Sequence, residues 1–584
     1  MYATVLRAFR MLALFALVVT PVLLIVSPAS ATGPTSGVVF DSIPTTLPGN
    51  VPSESFEATS TSEFGDYATF AGTSRSLRNV DVVMSSWGCQ SGHWTDGSCL
   101  TTPGTTFSHA ITLKIYANSG GAPGALLGSV TQTFAMPFRP SANPTNCTGA
   151  NAGKWFSSAD STCYNGFATT ITFDFSSSHV TLPSSVIYDV SYNTTHYGAA
   201  PIGESAACYT SSGGCGYDSL NVGAASTTPT VGTDDDLNGV FANASFAGSY
   251  CDLGVGGTET FRLDTPCWTG FNPLVQFNVC APTGFFRDGI NMTAAQIGGN
   301  VTGNLDASGC NIGVYYGPHS SGTVSAANIH GANYYGVVVN AAAANVTNSS
   351  IHDIGESPLD GTQHGVGVYY TTLNQDATST GTAATGTISG NTIAHYQKGG
   401  IVVNGPGSSV TVSGNNVTGE GAVPYTAQNG IQMGRGAIGT IKGNTVSGNA
   451  YSGTNNASSC GILVFGGAPY PYTTGVSITA NTLTNNDIGI YVANADATGN
   501  PPAAKTKNSI VNNTITDSLT SNVSGNGYPD GYQAGIFDLG NHDSIVNNKI
   551  SGDGYNQNKV RIGSGSIFTM IDVTGSISPH VKNN

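Results

Sequence analysis

From about Asn311 onward, apolar and polar residues follow one repeated scheme. A glycine opens a short apolar run, as in Gly313-Val-Tyr-Tyr, Gly336-Val-Val-Val, Gly367-Val-Tyr-Tyr and Gly400-Ile-Val-Val. The run returns as Gly430-Ile-Gln-Met, Gly461-Ile-Leu-Val, Gly489-Ile-Tyr-Val and Gly535-Ile-Phe-Asp, at intervals of 23 to 46 residues. Between these glycines lies a second signature, apolar-x-x-Asn-x-apolar. It occurs as Ile388–Ile393, Val412–Val417, Ile441–Val446, Ile478–Leu483, Ile510–Ile515 and Ile545–Ile550. Val324–Ile329 and Val346–Ile351 are weaker copies without Asn at the fourth place. Short strands at a fixed period predict stacked coils, because one coil alone cannot bury its apolar face. Equivalent strands then pair in parallel, about 4.8 Å apart. Asn391, Asn415, Asn444, Asn481, Asn513 and Asn548 fall at one bend, where Asn tolerates left-handed geometry and can bond to its counterpart one coil away. The expectation is eight coils from about Asn311 to Gly554, with Pro501 to Pro529 leaving the last two as a loop.

The pattern before residue 280 is different. Ala110-Ile-Thr-Leu-Lys-Ile-Tyr116, Thr169–Phe175 and Val186–Tyr192 alternate apolar and polar, as half-buried strands do, and Asn79–Met84 is a further short strand-like run. Gly and Pro punctuate them, as in Gly120-Gly-Ala-Pro-Gly124. No helical period competes, so a β-sandwich or jelly roll is predicted. Trp87, Trp94, Trp155 and Trp268 are either packing residues or platforms for sugar rings.

The glycine and Asn signatures resemble those of the right-handed parallel β-helix, pectin lyase-like superfamily, over about Ile290 to Tyr555. That resemblance implies an all-β solenoid and an association with glycans. The family's polysaccharide lyases, hydrolases and epimerases carry distinct motifs. Gln363-His-Gly-Val and Val560-Arg-Ile-Gly are fragments of two polygalacturonase motifs, and Gly540-Asn-His-Asp543 is a fragment of an epimerase motif. No catalytic residue is carried over from the family.

The resulting layout is a signal peptide at 1–31, a linker at 32–54, a sandwich-like domain at 55–285, the β-helix at 286–556 and a tail at 557–584. Arg7 and Arg10, the apolar run Met11–Val26 and Ala29-Ser30-Ala31 form the secretory signal. Pro21 interrupts that run, which argues against a spanning helix. The predicted location is therefore extracellular, as a monomer with no membrane contact after cleavage.

Charge narrows the partners. Only 9% of residues are charged and the net charge is −15. Nucleic acid needs clustered basic charge and is excluded. The same deficit weakens the case for a strongly anionic glycan unless cations bridge the charges. The 11 cysteines are concentrated between Cys89 and Cys280, with only Cys310 and Cys460 beyond, and read as a disulfide framework. Local pairing predicts Cys89–Cys99, Cys147–Cys163, Cys208–Cys215, Cys251–Cys267 and Cys280–Cys310. Cys460 is left as a buried, inert thiol. No C-x-x-C pair is present, so zinc is not supported.

Candidate chemistry gathers in the early coils. His330 and His352 follow Ile329 and Ile351 at one register, so period-2 alternation points both outward. Asp353 and His395 occupy equivalent places on neighbouring coils, where a carboxylate could orient an imidazole. Glu356, Asp360 and His364 extend the cluster. In an enzyme, His352 or His395 would transfer the proton and Asp353 would orient it. Glu356 or Asp360 would be an acid or a cation ligand, with Ca2+ the one cofactor left open. His330 and Arg435 would contact substrate. The fallback group is Asp538, His542 and Asp543. Two readings follow: a polysaccharide lyase or glycoside hydrolase, or a non-catalytic surface or adhesion protein whose β-helix is a rigid scaffold.

Overall fold

A computed structural model describes residues 35–192, 220–373, 381–555 and 567–584, apart from the single positions 58, 60, 179, 226, 227, 497, 526 and 529. The signal peptide and the Cys208–Cys215 pair lie outside the described residues.

The N-terminal part is a sandwich of antiparallel sheets. One sheet orders its strands Arg262–Asp264, Val240–Ala244, Thr61–Thr69, Ser185–Ser191, Thr106–Asn118 and Pro123–Pro137. The other centres on Ser76–Ser86. Phe167–Asp174 pairs on one side of it, and Val275–Arg287 with Leu220–Ala225 on the other. Ile111, Leu113 and Ile115 alternate inward, as read from sequence, and meet Val80, Val82, Phe173 and Phe277 in one core. The stretch read as a linker joins the sheets instead. Val38–Asp41 pairs with the Val275–Arg287 strand, and Ser53–Glu54 with Leu220–Ala225. Trp155 is buried and donates to Gly166 O at 2.6 Å, and Trp268 packs on Phe64. Trp87 and Trp94 meet edge to face at 4.6 Å. Each of the four tryptophans thus has a packing or hydrogen-bond contact, with Trp87 and Trp94 left partly exposed.

The rest is the right-handed parallel β-helix. Eight glycine-opened strands, from Ile312–Tyr316 to Tyr532–Asp538, stack in parallel. One strand is added at each end, Ile290–Ile297 and Ile567–Asp572. The predicted tail therefore continues the solenoid, and His580–Lys582 pairs with Ser544–Val546. These terminal coils lack the glycine-opened run. The segment Pro501 to Pro529 does not leave as a single loop either. Ser509–Val511 and Thr514–Thr516 stay in register with the coils on both sides.

The glycine column has a steric cause. A Cβ on Gly430 would lie 2.4 Å from Val446 Cγ1 and 2.7 Å from Gly461 O. The same contacts, to an inward apolar side chain and the next carbonyl, recur at Gly313, Gly336, Gly367, Gly400, Gly461, Gly489 and Gly535. The glycines let two sheets close on a core of Val337, Val368, Ile401, Ile431 and Ile462 against Ile351, Ile393, Val417 and Val446.

The Asn ladder is continuous. Each Oδ1 accepts both the backbone N–H and the side-chain amide of the preceding Asn, at 2.9 to 3.0 Å from Asn391 to Asn548. Ser349 N–H starts the series and Asn584 ends it. The left-handed residue is the one before each ladder Asn, for example Gly390, Gly414, Gly443, Ala480 and Asn512. Asn thus stays for its amide, and its neighbour makes the bend.

Sandwich and solenoid share backbone. The strand Val275–Arg287 belongs to a sandwich sheet and also forms a hairpin with Ile290–Ile297, the first strand of the parallel stack. Cys280–Cys310 crosses the same junction, and Arg78 donates to the Asp306 carbonyl. Cys89–Cys99, Cys147–Cys163 and Cys251–Cys267 are also formed, as expected, and Cys460 is free and buried. No helix among the described residues is long and apolar enough to cross a membrane.

Candidate functional site

Three successive short strands bring the outward histidines together. Asp306, His330 and His352 are paired in register, while Ile329 and Ile351 point into the core. The two imidazoles stack at 5.3 Å and 10°. His330 Nδ1 lies 3.8 Å from Asp306 Oδ1. His352 has both ring nitrogens engaged, Nδ1 at 2.6 Å from Asp353 Oδ2 and Nε2 at 2.9 Å from Asn328 Oδ1. No nitrogen of His352 is left for a substrate.

Asp353 and His395 take equivalent left-handed places, with φ of 53° and 48°. Ile354 N–H donates to His395 O at 2.9 Å, which fixes the stacking. The expected orienting contact between Asp353 and His395 does not form. Asp353 turns to its chain neighbour His352, and His395 Nδ1 meets Glu420 Oε1 at 3.2 Å.

The loop from Gly355 to His364 is organised by the buried side chain of Gln397. Its Oε1 accepts from Glu356 N–H at 3.0 Å and Asp360 N–H at 3.2 Å, and its Nε2 donates to Thr362 O at 2.9 Å. Glu356 Oε1 sits 2.7 Å from His364 Nε2 and accepts from Asn333 Nδ2 at 3.4 Å. The His364 ring stacks on Tyr334 at 3.8 Å. Asp360 has a different job. Its carboxylate accepts from Thr362 Oγ1 and N–H at 2.6 and 2.8 Å, and these bonds hold it below the usual carboxylate range. It caps a turn.

A cleft of about 770 Å³ lies at the junction with the sandwich. Asp353, Glu356, His395 and Asn333 line it from the coils, and Ser176 lines it from the sandwich. Neither Lys nor Arg is among its lining residues. Arg435 is not brought there. It follows the long strand Asn429–Gly434, whereas His352 and His395 precede such strands, so it lies across the sheet from them. Asp538 and Asp543 are fully buried, fastened to Ser576 at 2.6 Å and Thr506 at 2.5 Å. Burial, then Asp543, pushes the Asp538 carboxyl up. His542 Nδ1 bonds Asn541. The two acids of that fallback group fasten the interior of a coil, and His542 is exposed.

Among the described residues, the only tight trio of metal-ligating groups is Cys251, Asp264 and Cys267, and its two sulfurs form a disulfide. It does not fit a metal. Asp306, Asn328, Asn333, Gln397 and Glu420 were not legible in the sequence. Each matters through a neighbour on another coil.

No protein-family model matches the chain, and no characterised protein matches it by sequence. Solved structures with similar local architecture include DFA-IIIase from Arthrobacter chlorophenolicus A6 in complex with GF2. It has 10% identity over 46% of this chain and 56% of that one, with a TM-score of 0.29. The Dettilon tailspike protein gives 13% identity over 49% and 61%, with a TM-score of 0.24. The Agl-KA catalytic domain gives 12% identity over 94% and 98%, with a TM-score of 0.26. The chain spans little more than half the length of DFA-IIIase.

Proposed function

We propose that this is an extracellular, pectin lyase-like β-helix protein that binds a polysaccharide in the junction cleft and hydrolyses it there. One observation carries the reading. Four histidines, each beside its own acid, cluster on the early coils of a chain with only 9% charged residues, and His395, Asp353 and Glu356 of that cluster line one cleft. The pairs are His330–Asp306, His352–Asp353, His364–Glu356 and His395–Glu420. A structural solenoid needs no such edge, and perturbed or paired ionisable groups in a concavity are the usual mark of acid–base chemistry.

In this reading the carboxyl groups of Asp353 and Glu356 act on the glycosidic bond, one as acid and one as base or nucleophile. His352 and His364 position them. His395, 66% exposed, contacts the sugar. Hydrolysis is preferred to lyase chemistry because two carboxyl groups, those of Asp353 and Glu356, line the same cleft. The disulfides support an oxidising, extracellular setting.

The test is product analysis over a polysaccharide panel. Wild type should shorten a chain and release reducing ends without unsaturated products. Asp353→Asn and Glu356→Gln should each slow this by about 10²-fold or more. Unsaturated products would replace hydrolysis by elimination. An active wild type that loses nothing in either variant would move the chemistry elsewhere. Binding without shortening would favour the scaffold reading.

A further inference from the structure

The sandwich sheet that contains Thr61–Thr69, Ser185–Ser191 and Thr106–Asn118 as neighbours carries one amine between two acids. Phe64, Leu113, Tyr188 and Val190 point into the core, so alternation sends Glu63, Lys114 and Asp189 to the opposite face. Lys114 stands directly across from Asp189, Asp189 across from Gly65, and Glu63 across from Asn243. Lys114 Nζ lies 2.6 Å from Glu63 Oε1 and 3.5 Å from Asp189 Oδ2. It therefore spans the Asp189 strand to reach Glu63. Glu63 Oε2 accepts from Asn243 Nδ2 at 2.7 Å. Asp189 is fully buried, and its Oδ1 has no hydrogen-bond partner. Tyr67, Ile187 and Phe241 form an apolar patch on the same face, with Phe261 and Leu263 packed against it. Burial pushes the Asp189 carboxyl up to about 7, against the pull of Lys114. Burial lowers the Lys114 ammonium, but its two acids outweigh that and hold it raised.

We propose that Lys114 and Asp189 condense to an amide, a covalent cross-link between the strands Thr106–Asn118 and Ser185–Ser191, with Glu63 relaying the protons. One ammonium cannot balance two carboxylates in a site with little water, so one acid keeps its proton, and burial selects Asp189. A protonated carboxyl is the form an amine attacks; a carboxylate is not. The resting state is the ion pair, and the reaction leaves from it in steps. Glu63 takes one proton from Nζ, which frees the lone pair. Nζ attacks Asp189 Cγ, and the Nζ–Cγ bond forms. Glu63 passes its proton to the departing Asp189 hydroxyl and takes a second from Nζ. The Cγ–O bond breaks, water leaves, and Glu63 returns the remaining proton to solvent. Nothing is oxidised or reduced. Contact between the two groups replaces a bimolecular encounter, and one slow turnover per chain is enough. The bond joins residues 75 apart in sequence, on strands that the four described disulfides leave unbridged. In the condensed chain Asp189 no longer titrates.

The test is peptide mapping by mass spectrometry of the full chain, kept folded at neutral pH and then reduced, alkylated and digested. Wild type should yield one branched peptide that joins Lys114 to Asp189, lighter than its two halves by one water. Lys114→Arg and Asp189→Ala should give linear peptides only. Glu63→Gln should slow condensation by about 10²-fold, read as the cross-linked fraction against time. Should a variant fail to fold, the wild-type map decides by itself. Linear wild-type peptides, with Lys114 and Asp189 both unmodified, overturn the proposal. So does a bond from Lys114 to Asn243, which would appear as loss of ammonia in place of water. Condensation at the full rate in Glu63→Gln overturns the relay.

Discussion

The coils from Ile312 to Val423 and those from Asn429 to Ser551 share one architecture and put their polar residues to opposite uses. In the later coils polar side chains face inward and are consumed. Asn444, Asn481, Asn513 and Asn548 bond one another, and Asp487 takes backbone N–H bonds from Tyr451 and Ser459 and a hydroxyl bond from Ser521. In the early coils the ladder begins only at Ser349, which stands where later coils have Asn, and His330, His352 and His395 put their polar groups on the outward edge instead. A regular repeat is what stacking demands. Departure from it, on one edge, is where the chain can spend residues on chemistry.

The sharpest way to break this comparison is Asn444→Ala. It leaves the buried Asn415 N–H and Val412 carbonyl without their partners. Each buried orphan costs about 1–3 kcal/mol, so a loss of about 3–5 kcal/mol in urea unfolding is expected. His352→Ala, on the outward edge, should cost under about 1 kcal/mol. Comparable losses would mean the early edge is as structural as the ladder.

Acidity should separate regions next. Burial pushes the carboxyls of Asp487 and Asp189 up to about 7 and that of Asp517 up to about 6. A raised carboxyl binds its proton in the folded chain where the unfolded chain has lost it. Its contribution is full below the unfolded value near 3.8 and is lost as pH rises through the folded value. Urea midpoints should therefore fall between about pH 4 and pH 7. Each such group contributes up to about 1.4 kcal/mol per pH unit within its window. Asp517→Asn should flatten the slope below pH 6. A midpoint that rises with pH would contradict this.

The smallest effect concerns Cys460. Burial pushes its thiol far above the ordinary value. A thiol reagent should leave it unlabelled in the native protein and label it fully in guanidinium. Rapid native labelling would show that the later coils open more readily than their packing implies.

Much of this was legible in the residues themselves. The glycine intervals and the Asn six-mers determined the solenoid, because a coil's geometry must be met locally at every turn. Short cysteine spacings determined four of the disulfides seen, since a short loop limits which sulfurs can meet. The outward direction of His330 and His352 followed from alternation alone. Which acid each histidine would meet did not, because Asp306, Glu420 and Asp353 compete across coils whose register exists only once stacked. The terminal coils Ile290–Ile297 and Ile567–Asp572 were equally silent, since neither carries the glycine-opened run. Arg287 and Tyr369 stand 82 residues apart and share no motif. Only the hairpin folding over the sheet brings that guanidinium to that phenol, and a contact made by folding leaves no period in the chain.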